Sequence, residues 1–366
     1  MTYEEARAQF PVLERFAYLN AGTLGPLSRA TLEAMDERSR FDQERGRGGK
    51  KWFDGVLELR ARVRERLAAA IGARAERLAL TGSTTDGCNI VLAGFPLEAG
   101  DEVVTTSAEH PGLLAPLHAT GAHVRVAEVT ERSAAEALET ILAAITPRTR
   151  LLALSHVIWT TGQVIPVHDL KAETGLPILV DGAQSVGAIP VDVGELDFYT
   201  VSCQKWLCGP EPTGALYVRD PERLRVRLPT YFSHQQIERD GTFVPKDGAL
   251  RFDFGWLAPV ALAGLESALN EPPDGRFADA ARAAALCRQA LAGAGYEVVT
   301  EPGQATLVAW VAPGKAAEDA ARLYERDVIV RDLPGTGWLR ASCGWWTTDE
   351  HVERLVAALA QGPVVA

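Results

Sequence analysis

Only six of the 366 residues are lysine, against thirty-one arginines. That shortage leaves few candidates for any chemistry needing a free amine, and the skew is that of a GC-rich coding sequence. Positive charge is short overall. The formal net charge of −11 excludes the basic face that a nucleic acid or an anionic membrane surface would need. Long apolar runs are missing as well: none reaches membrane-spanning length. The start, Met1-Thr2-Tyr3-Glu4-Glu5, lacks the basic-then-apolar pattern of a signal peptide. The expected location is the cytoplasm, with no membrane partner. Cysteines number five (Cys88, Cys203, Cys208, Cys287, Cys343), an odd count with wide spacing and no Cys-x-x-Cys or Cys/His cluster. Neither a disulfide framework nor a metal site is expected.

What is present is alternation. Apolar strands at Arg77–Thr81, Glu102–Thr106, His123–Ala127, Arg150–Leu154 and Pro177–Asp181 are separated by stretches long enough for helical crossovers. Such βα alternation predicts an α/β fold with a mainly parallel sheet and helices on both faces. Ligands on such sheets bind beyond the strand carboxyl ends. After Asp220-Pro221 the pattern loosens to about Leu250, and a second block follows. It predicts helices at Phe277–Gly293, Lys315–Arg326 and Thr348–Ala360. Strands are expected at Tyr296–Thr300, Ala305–Val311, Val328–Arg331 and Trp338–Ala341. The expected division is a large domain over 15–240 and a smaller α+β domain formed by 1–14 and 241–366.

The most informative segment is Ile178–Trp206. An apolar strand ends in Asp181-Gly182-Ala183-Gln184-Ser185, and Ser202-Cys203-Gln204-Lys205-Trp206 follows. A strand-end acid and a lysine in a short turn are the two groups that pyridoxal 5′-phosphate (PLP) needs. The amine forms a Schiff base with the aldehyde, and the carboxylate keeps the pyridine nitrogen protonated. Taken alone, Asp181 suits a helix cap and Lys205 a surface lysine. The apolar surroundings of Lys205, Trp206-Leu207-Cys208 and the strand resuming at Gly214, favour a desolvated amine instead.

Other strand ends carry supporting groups. Thr81-Gly82-Ser83-Thr84-Thr85-Asp86-Gly87 suits either an ordinary N-cap turn or a phosphate site at a helix start. His110, in Glu109-His110-Pro111-Gly112, sits where it can stack on an aromatic cofactor and move protons. Trp159 suits either a cofactor flank or the core. Arg331 and Arg340 end short strands and suit either carboxylate binding or structural ion pairs.

In this order the motifs resemble the class V, cysteine desulfurase-like branch of the fold-type I PLP enzymes, over essentially the whole chain from Tyr18-Leu19-Asn20 onward. The resemblance implies a seven-stranded, mainly parallel sheet in the large domain, PLP as cofactor and a homodimer with active sites at the interface. It implies Lys205 as Schiff-base lysine and proton carrier, Asp181 at the pyridinium nitrogen, Gln184 at the phenolic oxygen and His110 stacked on the ring. Ser83, Thr84, Thr85, Ser202 and Gln204 are implied at the phosphate, and Arg340 at the substrate α-carboxylate. Asn20, Gly22 and Trp52 are candidates to line the substrate pocket. Two positions depart from the family pattern: Gln204 stands where His usually precedes the lysine, and Trp256 ends an element that usually closes with Gly-Thr.

Within the branch, Thr85–Leu92, Leu154–Pro166 and Arg340-Ala341-Ser342-Cys343 resemble the cysteine/cystine C–S lyases, and Arg331 matches a second carboxylate-binding arginine. The expected substrate is a small amino acid, and the expected reaction is loss of a sulfur group from cystine, cysteine or a cysteine conjugate, giving pyruvate and ammonia. Alternatives are an isopenicillin N epimerase-like or aminotransferase reaction, or a PLP-binding module without catalysis. A cysteine desulfurase is disfavoured because Asp332–Leu339, where the family carries its sulfur-accepting thiol, contains no cysteine.

Overall fold

The computed structural model describes residues 2–130, 132–270 and 272–361. A seven-stranded sheet forms the larger core. Its strands are β1 (Leu78–Thr81), β2 (Glu102–Thr106), β3 (His123–Ala127), β4 (Thr149–Ser155), β5 (Ile178–Asp181), β6 (Phe198–Ser202) and β7 (Gly214–Val218). They lie in the order β1-β7-β6-β5-β4-β2-β3, and β7 alone runs antiparallel to its neighbours.

Both faces of this sheet are buried, so strands such as Ile178-Leu179-Val180 are apolar without interruption. Residues one apart point to opposite faces. Leu78, Leu80, Leu152, Ile178 and Val180 meet helices Gly49–Ala70, Ala134–Ala143 and Val167–Thr174, while Ala79, Val103, Leu179 and Phe198 meet Thr84–Gly94 and Pro111–Ala119. The crossover helices end where their sequence stops supporting them. Gly175, left-handed at φ 62°, caps Val167–Thr174 and turns the chain into β5.

The smaller core is a three-stranded antiparallel sheet of β8 (Leu307–Val311), β9 (Arg331–Leu333) and β10 (Trp338–Ser342), with β10 central. Helices Arg276–Gly293, Ala316–Tyr324 and Asp349–Ala360 pack with it. The strand expected at Tyr296–Thr300 is reduced to a single bridge, Val298 to Trp310, although the Val299 N–H donates to the Ala309 carbonyl and the Val311 N–H to that of Glu297 along the edge of β8 opposite β10. The expected strand Val328–Arg331 is two elements, Val328–Ile329 and β9. Val328–Ile329 pairs in parallel with Ala17–Tyr18. The N-terminal chain is thereby threaded into the smaller core, where Ala17 and Leu19 are fully buried.

Residues on the far side of the nominal boundary pack on the large sheet. Ala249 and Phe252 join one face, and Leu257, Leu262 and Leu265 join the other. No helix among the described residues is long and apolar enough to cross a membrane.

Candidate active site

The carboxyl ends of β1, β2, β4, β5 and β6 lie at one end of the sheet, where the functional loops of a parallel sheet gather. Asp181 closes β5 on the face covered by Thr84–Gly94. Its Oδ1 accepts from the Ala183 N–H at 2.9 Å and from the Thr200 hydroxyl at 3.3 Å. The helix approaches closely there because Gly87 has no side chain; a Cβ at that position would lie 2.7 Å from Thr200 Cγ2. These contacts fix the carboxylate, which makes no ion pair among the described residues.

Lys205 lies in the turn after β6. Its amine has no hydrogen-bond or ion-pair partner among the described residues. Burial brings its pKa down to about 8; Asp181 pulls against that shift, while Arg340 and Arg331 reinforce it. The four charges therefore share one electrostatic neighbourhood.

Gln184 is oriented by its neighbours. Its Oε1 accepts from the Trp206 indole N–H at 3.0 Å, so the amide nitrogen must point the other way, where it donates to the Gly22 carbonyl at 2.8 Å. One amide N–H remains for a ligand. His110 caps helix Pro111–Ala119: its Nδ1 accepts from the Gly112 N–H at 3.0 Å. A backbone N–H only donates, so the proton of the neutral ring sits on Nε2. Burial first, then the nearby Lys205 ammonium, lowers the His110 pKa. Its ring meets Trp159 edge-on at 5.2 Å.

At the start of Thr84–Gly94 the turn is an N-cap that leaves N–H groups open. Ser83 is the N-cap, accepting from the Asp86 N–H at 3.1 Å, and Asp86 accepts in turn from Gly82. The N–H groups of Thr84 and Thr85 open the helix, where no intrahelical acceptor exists for them. Thr85 lies against the His110 turn, since a Cβ on Gly112 would be 2.5 Å from its hydroxyl. Ser202 donates to Gln204 Oε1 at 3.0 Å, which joins the two at the end of β6.

Arg340 lies in the middle of β10, not at a strand end as expected, and Arg331 opens β9 directly opposite it. Arg340 is 1% exposed. Its Nη1 donates to the Trp159 carbonyl at 2.6 Å, while Nε and Nη2 have no partner among the described residues. Burial, then repulsion from Arg331, pushes its pKa down to about 9. The neighbouring Ser342 hydroxyl is also buried and has no partner among the described residues. An arginine edge with two unfilled N–H groups matches a carboxylate. Arg331 donates to the Thr23 hydroxyl at 3.0 Å and makes no ion pair among the described residues.

Asn20 is in the cleft, but its Oδ1 is taken by Thr23 at 2.8 Å. Trp52 sits elsewhere: it stacks on Trp256 at 6.0 Å and donates to Asp42. The sequence reading missed Thr23, Gly25 and Glu109 as contributors. Glu109 is buried between β2 and β4, accepting from the Thr106 hydroxyl and from the N–H and hydroxyl of Ser155. It ties the His110 turn to the strand that leads to Trp159. Its place next to His110 in the motif is the one signal that pointed to it.

A strand-end carboxylate, an unpaired amine, an amide with one spare N–H and an open helix start complement a pyridine nitrogen, an aldehyde, a phenolic oxygen and a phosphate. Fold and site together define a PLP-dependent enzyme of fold type I. The chain belongs to the class V aminotransferase family, whose family model matches residues 19–355. It is 30% identical to isopenicillin N epimerase from Amycolatopsis lactamdurans, over 98% of each chain. Among solved structures it is similar to the cystine C–S lyase C-DES in complex with cysteine persulfide: 28% identity, TM-score 0.89, covering 97% of this chain and 100% of that one. It is also similar to the cysteine desulfurase CsdA from Escherichia coli, at 25% identity and TM-score 0.85, covering 99% of this chain and 98% of that one.

Proposed function

We propose that this protein is a carbon–sulfur lyase acting on L-cystine, L-cysteine or a cysteine conjugate, with pyruvate and ammonia as products. The observation that carries this reading is the facing pair Arg331 and Arg340, two cations without acidic partners among the described residues. L-Cystine has one carboxylate for each.

PLP supplies an electron sink for the pair left at Cα when its proton departs. Arg340 holds the α-carboxylate through Nε and Nη2 and so fixes which Cα bond faces Lys205. The Lys205 amine, desolvated and near its neutral form, takes the Cα proton. Asp181 would keep the ring nitrogen protonated, and the spare Gln184 N–H would serve the phenolic oxygen. His110 would flank the ring with its Nε2–H available. Ser83, Thr84, Thr85, Ser202 and Gln204 would hold the phosphate. The Cβ–S bond then breaks, and sulfur leaves with the bonding pair as a thiolate or, from cystine, a persulfide. Water releases ammonia and pyruvate from what remains.

Sulfur transfer to a protein thiol has no support. Leu333 pairs with Trp338, so the hairpin is closed by residues 334–337, which include no cysteine. Cys343 is fully buried beside Cys287, and that contact and burial raise its pKa. Similarity to isopenicillin N epimerase favours a second reading, in which the Cα carbanion is reprotonated rather than losing a Cβ group. The PLP-loaded protein should release pyruvate from L-cystine and leave L-alanine unconverted. Racemised alanine without pyruvate from any sulfur amino acid would favour the second reading.

We propose a homodimer in the cytoplasm. Trp52, Phe53, Tyr231, Phe232 and Trp256 form one aromatic cluster in which Tyr231 and Trp256 are exposed, an apolar face suited to a second copy.

A further inference from the structure

One short loop, residues 20–25, touches both arginines assigned above to the substrate and, on the cofactor side, Gln184 and the Gln204–Lys205 turn. Asn20 bridges to Ser342 beside Arg340. The Gly22 carbonyl receives the Gln184 amide, and the Gly25 N–H donates to the Gln204 carbonyl at 2.8 Å. Between these anchors stands Thr23. Its hydroxyl accepts from Arg331 Nη1 at 3.0 Å and donates to Asn20 Oδ1 at 2.8 Å. A guanidinium only donates, so the direction of both bonds is fixed. Asn20 is thereby turned with its oxygen towards Thr23 and its two amide N–H groups pointing elsewhere.

That hydroxyl is the only side-chain hydrogen-bond partner of Arg331 among the described residues. Arg340 opposes Arg331 across the strand pair, and their charges repel. A long, flexible cation in that position would swing towards water unless something held it. We propose that Thr23 is a positioning residue for specificity: it holds Arg331 at the distance from Arg340 that fits a dicarboxylic amino acid, such as a disulfide-linked one. Substrates with a single carboxylate need Arg340 alone. The inference rests on the lyase reading and names the element that selects within it.

The test uses PLP-loaded protein with L-cystine, which has two carboxylates, and β-chloro-L-alanine, which has one and a Cβ leaving group. Thr23→Val keeps the shape and removes the hydroxyl; Thr23→Ala serves if Val is poorly folded. The ratio of kcat/KM for cystine to that for β-chloro-L-alanine should fall about tenfold, through KM, as loss of one hydrogen bond to a charged group implies. Thr23→Ser should restore the ratio. In an Arg331→Gln background the Thr23→Val change should cost nothing further in that ratio, since the two act as one unit.

Equal losses on both substrates, or additive losses in the double variant, would overturn the role of Thr23 while leaving the lyase intact. Wild-type protein that converts β-chloro-L-alanine but not cystine would overturn the cystine reading and this inference together.

Discussion

Arg331 and Arg340 face each other across the antiparallel strands β9 and β10, and neither meets a carboxylate among the described residues. Two unbalanced cations side by side cost stability. Their retention in a cleft beside Lys205 makes sense when the missing anions arrive with the substrate. The two are not equivalent, however. Arg340 is buried with an open N–H edge, while Arg331 is partly exposed and held by one hydroxyl.

That asymmetry predicts distinct kinetics. Arg340→Gln should lower kcat/KM for every amino acid substrate, by on the order of 100-fold for a lost charge-assisted bidentate contact. Arg331→Gln should lower it about tenfold for cystine and much less for substrates with one carboxylate. Steady-state kinetics on paired substrates check both. Equal effects of the two variants on a monocarboxylate would contradict the assignment.

The depressed pKa of Lys205 predicts how the apoprotein takes up its cofactor. Only the neutral amine attacks an aldehyde, so the rate of PLP loading should climb with pH and level off above about 8. Because Arg331 lowers that pKa, Arg331→Gln should move the inflection to higher pH. Stability follows the same linkage. The folded value lies below the unfolded one of 10.5, so the unfolded chain binds more protons between about 8 and 10.5, and the Lys205 contribution rises across that window. Stopped-flow absorbance after PLP removal and readdition reports the loading rate. Lys205→Ala should abolish both the visible absorbance of lysine-bound cofactor and turnover.

Loop 20–25 predicts two different outcomes from two similar changes. A Cβ on Gly22 would lie 2.8 Å from Arg340 Nη2 and 2.8 Å from Ser342 Oγ. Gly22→Ala should therefore raise KM by displacing Arg340 while the cofactor spectrum persists. A Cβ on Gly25 would run into the carbonyl oxygen of Lys205, which is backbone and cannot yield. Gly25→Ala should instead disturb the lysine turn, costing roughly 1–3 kcal/mol as overpacking does, and weaken PLP retention. Thermal melts and absorbance spectra separate the two.

Glu109 makes a prediction about pH. Burial pushes its pKa up to about 7, although Ser155 and Thr106 donate to it and pull the other way. The folded protein then holds a proton that the unfolded chain gives up from about pH 4.5. Its contribution to stability is fully present below that unfolded value and is lost as pH rises through about 7. The swing is on the order of 3 kcal/mol. In Glu109→Gln the melting temperature should change less between pH 5 and 8 than in wild type. Parallel pH profiles would rule out Glu109 as the titrating group.

Much of this site was legible in the chain. Asp181 and Lys205 declare themselves through local context: a carboxylate at the end of a doubly buried strand and an amine among apolar neighbours. The strands of the large sheet were legible for a related reason, since burial on both faces leaves an apolar run between turn residues. What could not be read were the long-range partners. Thr23 meets Arg331 across more than three hundred residues, and no local pattern links them. Tyr296–Thr300 has strand composition, yet it meets the edge of β8 opposite β10 through only one bridge, Val298 to Trp310. Helices Arg29–Arg45 and Gly49–Ala70 lie before the alternation that marks the sheet, although the latter carries Leu59, Val63 and Leu67 at helical spacing into the core.

The domain division also depends on packing that a linear pattern does not display. Ala249, Phe252, Leu257, Leu262 and Leu265 pack on the large sheet, and Ala17 and Leu19 are buried in the smaller core. We propose that the second unit begins near helix Arg276–Gly293 and includes the strand Ala17–Tyr18.

The central claim is that the site breaks a Cβ–S bond in a disulfide amino acid held at both ends. The most direct measurement is the product balance from L-cystine with purified, PLP-loaded protein. The account predicts pyruvate, ammonia and cysteine persulfide in equal amounts, with no sulfur retained on the protein. Conversion of the amino acid to its D-form, or alanine accompanied by a protein-bound persulfide, would contradict it.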